Sequence, residues 1–63
     1  MMEARVRVIY QGLTTGRVLE ERQFEVPVGD APVEEDAAVL EAIEALEAKW
    51  TGGRVLVRVL ADD

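Results

Sequence analysis

The stretch from Asp30 to Gly53 constrains this chain most, because a helix start, an apolar stripe and a helix stop follow one another there. Asp30 can accept backbone N–H bonds as an N-cap, Pro32 suits a first turn where its missing donor is no loss, and Glu34, Glu35 and Asp36 set negative charge against the positive end of the dipole. Val39, Leu40, Ile43, Leu46 and Trp50 recur at spacings of three and four, apart from the adjacent Val39 and Leu40, so at about 100° per residue they share one face. Lys49 in the last turn and Gly52-Gly53 after it are the usual means of leaving a helix. These signals predict a helix from about 32 to 51 with that stripe against the core.

The opposite side of this helix carries Glu34, Glu41 and Glu44 among Ala37, Ala38, Ala45 and Ala48, with Glu47 nearer the flank. Glu41 with Glu44, and Glu44 with Glu47, repel at a cost of about 0.2–0.5 kcal/mol per pair. Only Lys49 offsets this locally. Ala and Glu are ordinary residues for a solvated helix face, and the sharper reading is an acidic ridge that meets a basic partner.

The flanking segments have a different period. From Ala4 to Tyr10, Ala4, Val6, Val8 and Tyr10 alternate with Arg5, Arg7 and Ile9, the pattern of a half-buried strand. A second such run, about Val18 to Val28, follows the turn-rich Gly12-Leu13-Thr14-Thr15-Gly16 and has Phe24, Val26 and Val28 on one parity. The two form a hairpin. Matching buried faces pairs Val6 with Val26, Val8 with Phe24, Ala4 with Val28 and Leu13 with Leu19; a tighter loop closed at Tyr10 and Val18 sets Val8 against Glu20 and is rejected. The tip, roughly Gln11 to Glu21, then extends beyond the core with Leu13, Val18 and Leu19 uncovered, and Gly12 marks a bulge. Arg54 to Leu60 alternates again, Val55, Val57 and Val59 against Arg54, Leu56, Arg58 and Leu60. Ala61-Asp62-Asp63 reads as a fraying tail.

The expected fold is α+β, in the order ββαβ, as a single domain over residues 1–63. A right-handed crossover through the helix makes strand 3 parallel to strand 2. Sheet order 2-1-3 follows, with strand 1 central and the helix across one face. A chain this short buries only about 60% of its unfolded surface, so idealised packing or a second chain must supply stability, which favours a homodimer.

The net charge of −6, from nine Glu and four Asp against six Arg and one Lys, disfavours a nucleic-acid or anionic-membrane binder. Tyr10 and Phe24 have the buried parity and Trp50 lies on the stripe, so the open sheet face lacks the aromatic residues that stack on bases. The chain contains no Ser, His, Cys or Asn. Nucleophilic triads, thiol chemistry, imidazole catalysis and disulfides are thereby excluded, and neither catalytic residues, a metal site nor a cofactor is expected. Glu34-Glu35-Asp36 diverge around a helix and serve better as capping charge than as cation ligands; Gly12-x-x-x-Gly16 lacks the Lys and Ser/Thr of a phosphate loop. With no run of about 18 apolar residues and no signal-peptide core after Met1-Met2-Glu3-Ala4-Arg5, a cytoplasmic location is the default. Abundant Glu without thermolabile Asn or Cys is a thermophile-like composition.

Parity assigns Arg5, Arg7, Ile9, Glu21, Gln23, Glu25, Arg54, Leu56, Arg58 and Leu60 to the open face of the sheet. Cross-strand pairing of Arg5 and Arg7 with Glu25 and Glu21 would make it an ordinary solvated face. Ile9, Leu56 and Leu60 make it too apolar for that alone, and Arg stems among aliphatic residues suit a protein interface. The expected function is a non-enzymatic protein-interaction module that binds itself or a protein partner through Arg5, Arg7, Ile9, Arg54, Leu56, Arg58 and Leu60. The alternative is an acidic inhibitor in which Glu34, Glu41 and Glu44 imitate nucleic-acid charge and occupy the groove of a nucleic-acid-binding enzyme. In size and charge alone, the chain resembles small acidic phage proteins that block host enzymes.

Overall fold

The computed structural model describes residues 3–29 and 32–61. Three strands, β1 (Glu3–Gly12), β2 (Val18–Pro27) and β3 (Gly53–Ala61), form one antiparallel sheet in the order β2-β1-β3, and one α-helix, α1 (Ala37–Lys49), packs across it. The order ββαβ and the central position of β1 are those the alternating periods imply. Val6, Val8, Tyr10 and Val26 from the sheet and Val39, Ala42 and Leu46 from α1 form the buried core, with Phe24, Val33, Ile43, Trp50, Val55 and Val57 packed around it.

The hairpin register differs from the expected one by two residues. Ala4 faces Val26, Val6 faces Phe24, Val8 faces Arg22 and Tyr10 faces Glu20, between the register expected and the tighter one rejected. A slip of two keeps the side chains of β2 from Glu20 to Pro27 on their expected faces. Val8 opposite Arg22 and Tyr10 opposite Glu20 are tolerated because the end of α1 supplies partners for Glu20. The irregularity falls between Tyr10 and Gln11, where Gln11 faces Val18 and Leu19 becomes the extra residue, not at Gly12. Gly12 closes the loop instead: its N–H donates to the Arg17 carbonyl at 2.9 Å and its carbonyl accepts from Gly16 N–H at 3.0 Å, with Gly16 at φ +70°.

The helix is shorter than its signals predict. Val33–Glu35 form a single 3-10 turn, and Asp36, at φ −63° and ψ 142°, is extended and breaks it from α1. The Asp36 carboxylate accepts the Ala38 N–H at 2.9 Å, so Asp36 is the N-cap; Asp30, given that role from sequence, lies outside the described residues. At the other end Trp50 is the C-cap, its N–H donating to the Leu46 carbonyl at 2.9 Å. The glycine pair is not itself the cap. Gly52 takes the left-handed turn at φ +79°, and Gly53 is already the first residue of β3.

The buried stripe is Val39, Ala42 and Leu46, with Ile43 half-buried, while Leu40 is 48% exposed. Leu40 was expected in the core. With Val39 and Leu46 at the centre of the contact, Leu40 stands about 100° around the helix and points past the sheet, whereas the small Ala42 lets the backbone approach. Ala61 extends β3 and is not part of a tail; Asp62 and Asp63 lie outside the described residues.

Candidate interaction surfaces

β1 presents Arg5, Arg7 and Ile9 on the face away from α1, opposite Leu60, Arg58 and Leu56 of β3, with Gln11 opposite Arg54. The sequence-derived set is thus brought together on one face. Its members differ in what they are free to do. Arg7 grips Glu21 through two bonds, Nη2 to Oε1 at 2.7 Å and Nε to Oε2 at 3.2 Å, and Gln23 Nε2 donates to the same carboxylate. Hydrogen bonds from Arg7 first and Gln23 second lower the pKa of Glu21, and the bond to Glu21 raises that of Arg7. Arg5 reaches Glu25 at 3.8 Å, a looser pair between exposed side chains.

Arg54 and Arg58 are exposed and have no ion pair with any described residue. The face therefore grades from neutralised charge on the β2 side to free positive charge on β3. Leu60 is 49% exposed and Leu56 half-buried, but Ile9 is only 6% exposed. Ile9 lies on the expected face yet is covered by its neighbours, because a central-strand residue is flanked on both sides. It supports the surface more than it forms it.

The acidic residues Glu34, Glu41 and Glu44 are all exposed and carry no ion pair with a described residue. Glu34 belongs to the 3-10 turn, so the ridge on α1 itself begins at Glu41. At the hairpin tip Leu13 is 66%, Val18 53% and Leu19 40% exposed.

Sequence reasoning missed a polar cluster on the helix side of the sheet. Glu20 Oε1 accepts from Trp50 Nε1 at 3.0 Å and lies 2.8 Å from Lys49 Nζ, while Oε2 lies 3.4 Å from Arg22 Nε. Hydrogen bonds from Lys49 and then Trp50 hold the Glu20 carboxyl down from its ordinary 4.5 to about 2. The Trp50 ring stacks on Tyr10, centroids 6.3 Å apart, and Lys49 Nζ lies 5.8 Å from the Trp50 ring. The cluster clamps the end of α1 to β2 and β1. The available signal was an acid at a buried-face parity in β2 together with a Lys-Trp pair ending the helix. Because Lys49 is taken by Glu20, it does not offset the glutamates of α1.

Comparison with protein-family models, with curated proteins and with solved structures finds no match. Among the described residues no three metal-ligating side chains gather, and no helix is long and apolar enough to cross a membrane.

Proposed function

We propose that this chain is a non-enzymatic protein-interaction module whose binding surface is the β3 side of the open sheet face. One observation carries the reading: half-exposed Leu60 and part-buried Leu56 stand beside Arg54 and Arg58, two cations without a carboxylate among the described residues. Aliphatic groups gain by being covered, and guanidinium groups gain a bidentate bond when the covering surface brings carboxylates. The partner that fits is a protein surface that is apolar at its centre and acidic at its rim. Arg5 and Arg7 shape the edge of the site and, being paired with Glu25 and Glu21, contribute less.

Affinity capture from the native host with the wild-type chain, with Leu56→Glu and with Arg54→Glu/Arg58→Glu tests the reading. Capture of one protein that all these changes abolish, with each variant still folded, supports it. Equal capture by every variant overturns it.

The inhibitor reading retains one observation in its favour. With Lys49 bound to Glu20, no described cation forms an ion pair with Glu41 or Glu44. In that reading a basic groove on a nucleic-acid-binding enzyme takes the place of the missing cations.

A further inference from the structure

The two edges of the sheet are chemically unlike. Leu13 N–H donates to the Gly52 carbonyl at 3.1 Å, one step beyond the Gly12–Gly53 pair of the β1–β3 ladder. Bonded and non-bonded pairs alternate in an antiparallel ladder, so Arg54, Leu56, Arg58 and Leu60 bond to β1. The backbone N–H and carbonyl groups of Val55, Val57 and Val59 point outward, and none bonds to another described residue outside the ladder. On β2 the Gly12 bond to Arg17 sets the same alternation and turns Glu21, Gln23, Glu25 and Pro27 outward. Pro27 has no N–H to offer a further strand, and Glu21 and Glu25, though paired with Arg7 and Arg5, keep polar groups along that edge. β3 has neither a proline nor a carboxylate: its charges, Arg54 and Arg58, lie on the open face, and Val59 on the helix side is 39% exposed.

We propose that β3 pairs antiparallel with β3 of a second copy about a two-fold axis through Val57, joining two sheets into one of six strands. The occupant follows from the self-complementarity of the strand. In this register β3 runs from Gly53 opposite Ala61 inward to Val57 opposite itself, with the Gly53 N–H kept by the Tyr10 hydroxyl. On the helix side Val55 meets Val59 of the second copy and the half-exposed Val59 is covered. On the open side Arg54 lies opposite Leu60 and Leu56 opposite Arg58, so arginine stems run along leucines and no arginine directly faces another. A shift by two residues one way sets Arg54 opposite Arg58. A shift the other way sets Arg58 opposite itself, and either shift shortens the ladder. Like charges directly opposite are unfavourable, so charge and length select one register. The pairing uses the sheet edge and leaves the open face available to a different protein.

A ladder of this length covers less than the about 800 Å² per partner of stable complexes, so association in the micromolar range is expected. Sedimentation of the full chain from about 10 µM to about 1 mM should show a monomer–dimer equilibrium, with amide exchange at Val55, Val57 and Val59 slowing as concentration rises. Val59→Lys should weaken the dimer by about tenfold or more, because an edge lysine opposes strand addition. Leu60→Glu gives the sharper test. It sets a carboxylate opposite Arg54 of the second copy and should tighten edge pairing by about 2- to 30-fold, two symmetry-related opposite-charge pairs at the usual strength, whereas a dimer stacked through the open face would be weakened. Leu60 is half-exposed, so the fold should withstand the change. A monomer at about 1 mM overturns the edge pairing and leaves capture of a different protein by the open face untouched. A dimer that Leu60→Glu weakens overturns it in favour of the open face.

Discussion

The Tyr10 ring lies across Gly53, and its hydroxyl accepts the Gly53 N–H at 2.9 Å. A Cβ at residue 53 would overlap the Gln11 carbonyl oxygen and the Tyr10 ring, so the absent side chain is what lets an aromatic residue of β1 cover the start of β3. Gly53→Ala should therefore cost about 1–3 kcal/mol as overpacking, and Tyr10→Phe about 0.5–1.5 kcal/mol as one lost hydrogen bond. Urea midpoints read both. An unshifted midpoint for Gly53→Ala would show that the ring can move aside freely.

Leu40 and Leu46 separate the observed helix face from the one periodicity suggests. Leu46→Asp buries an unpaired carboxylate at a fully buried position and should unfold the chain. Leu40→Asp alters a half-exposed position and should change stability by no more than about 0.5 kcal/mol. Circular dichroism melts decide, and two equally unfolded variants would place Leu40 in the core after all.

Glu20 predicts an acid-sensitive step. Its carboxyl is held at about 2 against an ordinary 4.5, so its stabilising contribution is complete above about 4.5 and is lost as pH falls through about 2. Glu21, lowered by Arg7, acts in the same direction. Trp50 is the only tryptophan and touches Glu20, so its fluorescence should follow urea unfolding across this window. Glu20→Gln should flatten the dependence of the midpoint on pH. A slope identical to wild type would mean that the Lys49 and Trp50 contacts do not favour the ionised form.

Salt separates the two functional readings once a partner is in hand. Binding by Glu34, Glu41 and Glu44 to a basic groove should weaken steeply as the Debye length falls from about 10 Å at 0.1 M to about 3 Å at 1 M. Binding over Leu56 and Leu60 should keep most of its affinity. Glu34→Gln/Glu41→Gln/Glu44→Gln should leave the fold intact and spare binding in the second case. Loss of the partner in that triple variant, with retention in Leu56→Glu, would bring the inhibitor reading forward.

Strand parity was legible because it depends only on alternation, which survives a slip of two residues. That is why Arg5, Arg7, Arg54, Leu56, Arg58 and Leu60 fall on the expected face although Val8 faces Arg22 and not Phe24. The register itself was hidden. Burial matching assumes that apolar residues face apolar ones, and Glu20 breaks the assumption by binding Lys49 and Trp50, which are remote in sequence. The helix start was obscured by competing caps, since Asp30-x-Pro32 has the stronger local signature and the extended backbone at Asp36 has none. Ile9 looked exposed because parity assigns a face without saying how closely the neighbours on that face crowd together.

The proline and carboxylates along the outer edge of β2 also set a limit on assembly. A sheet whose two rims were alike could accept strands on both sides and continue into a fibre, the hazard of an apolar strand such as Val55 to Leu60. In the proposed dimer one rim accepts a strand, while the other ends in Pro27, which offers no N–H, and carries the ion-paired Glu21 and Glu25. Joining through β3 as proposed would use up that rim of both copies and leave only the β2 rims at the ends. The strand proposed to make association possible would also make it self-terminating.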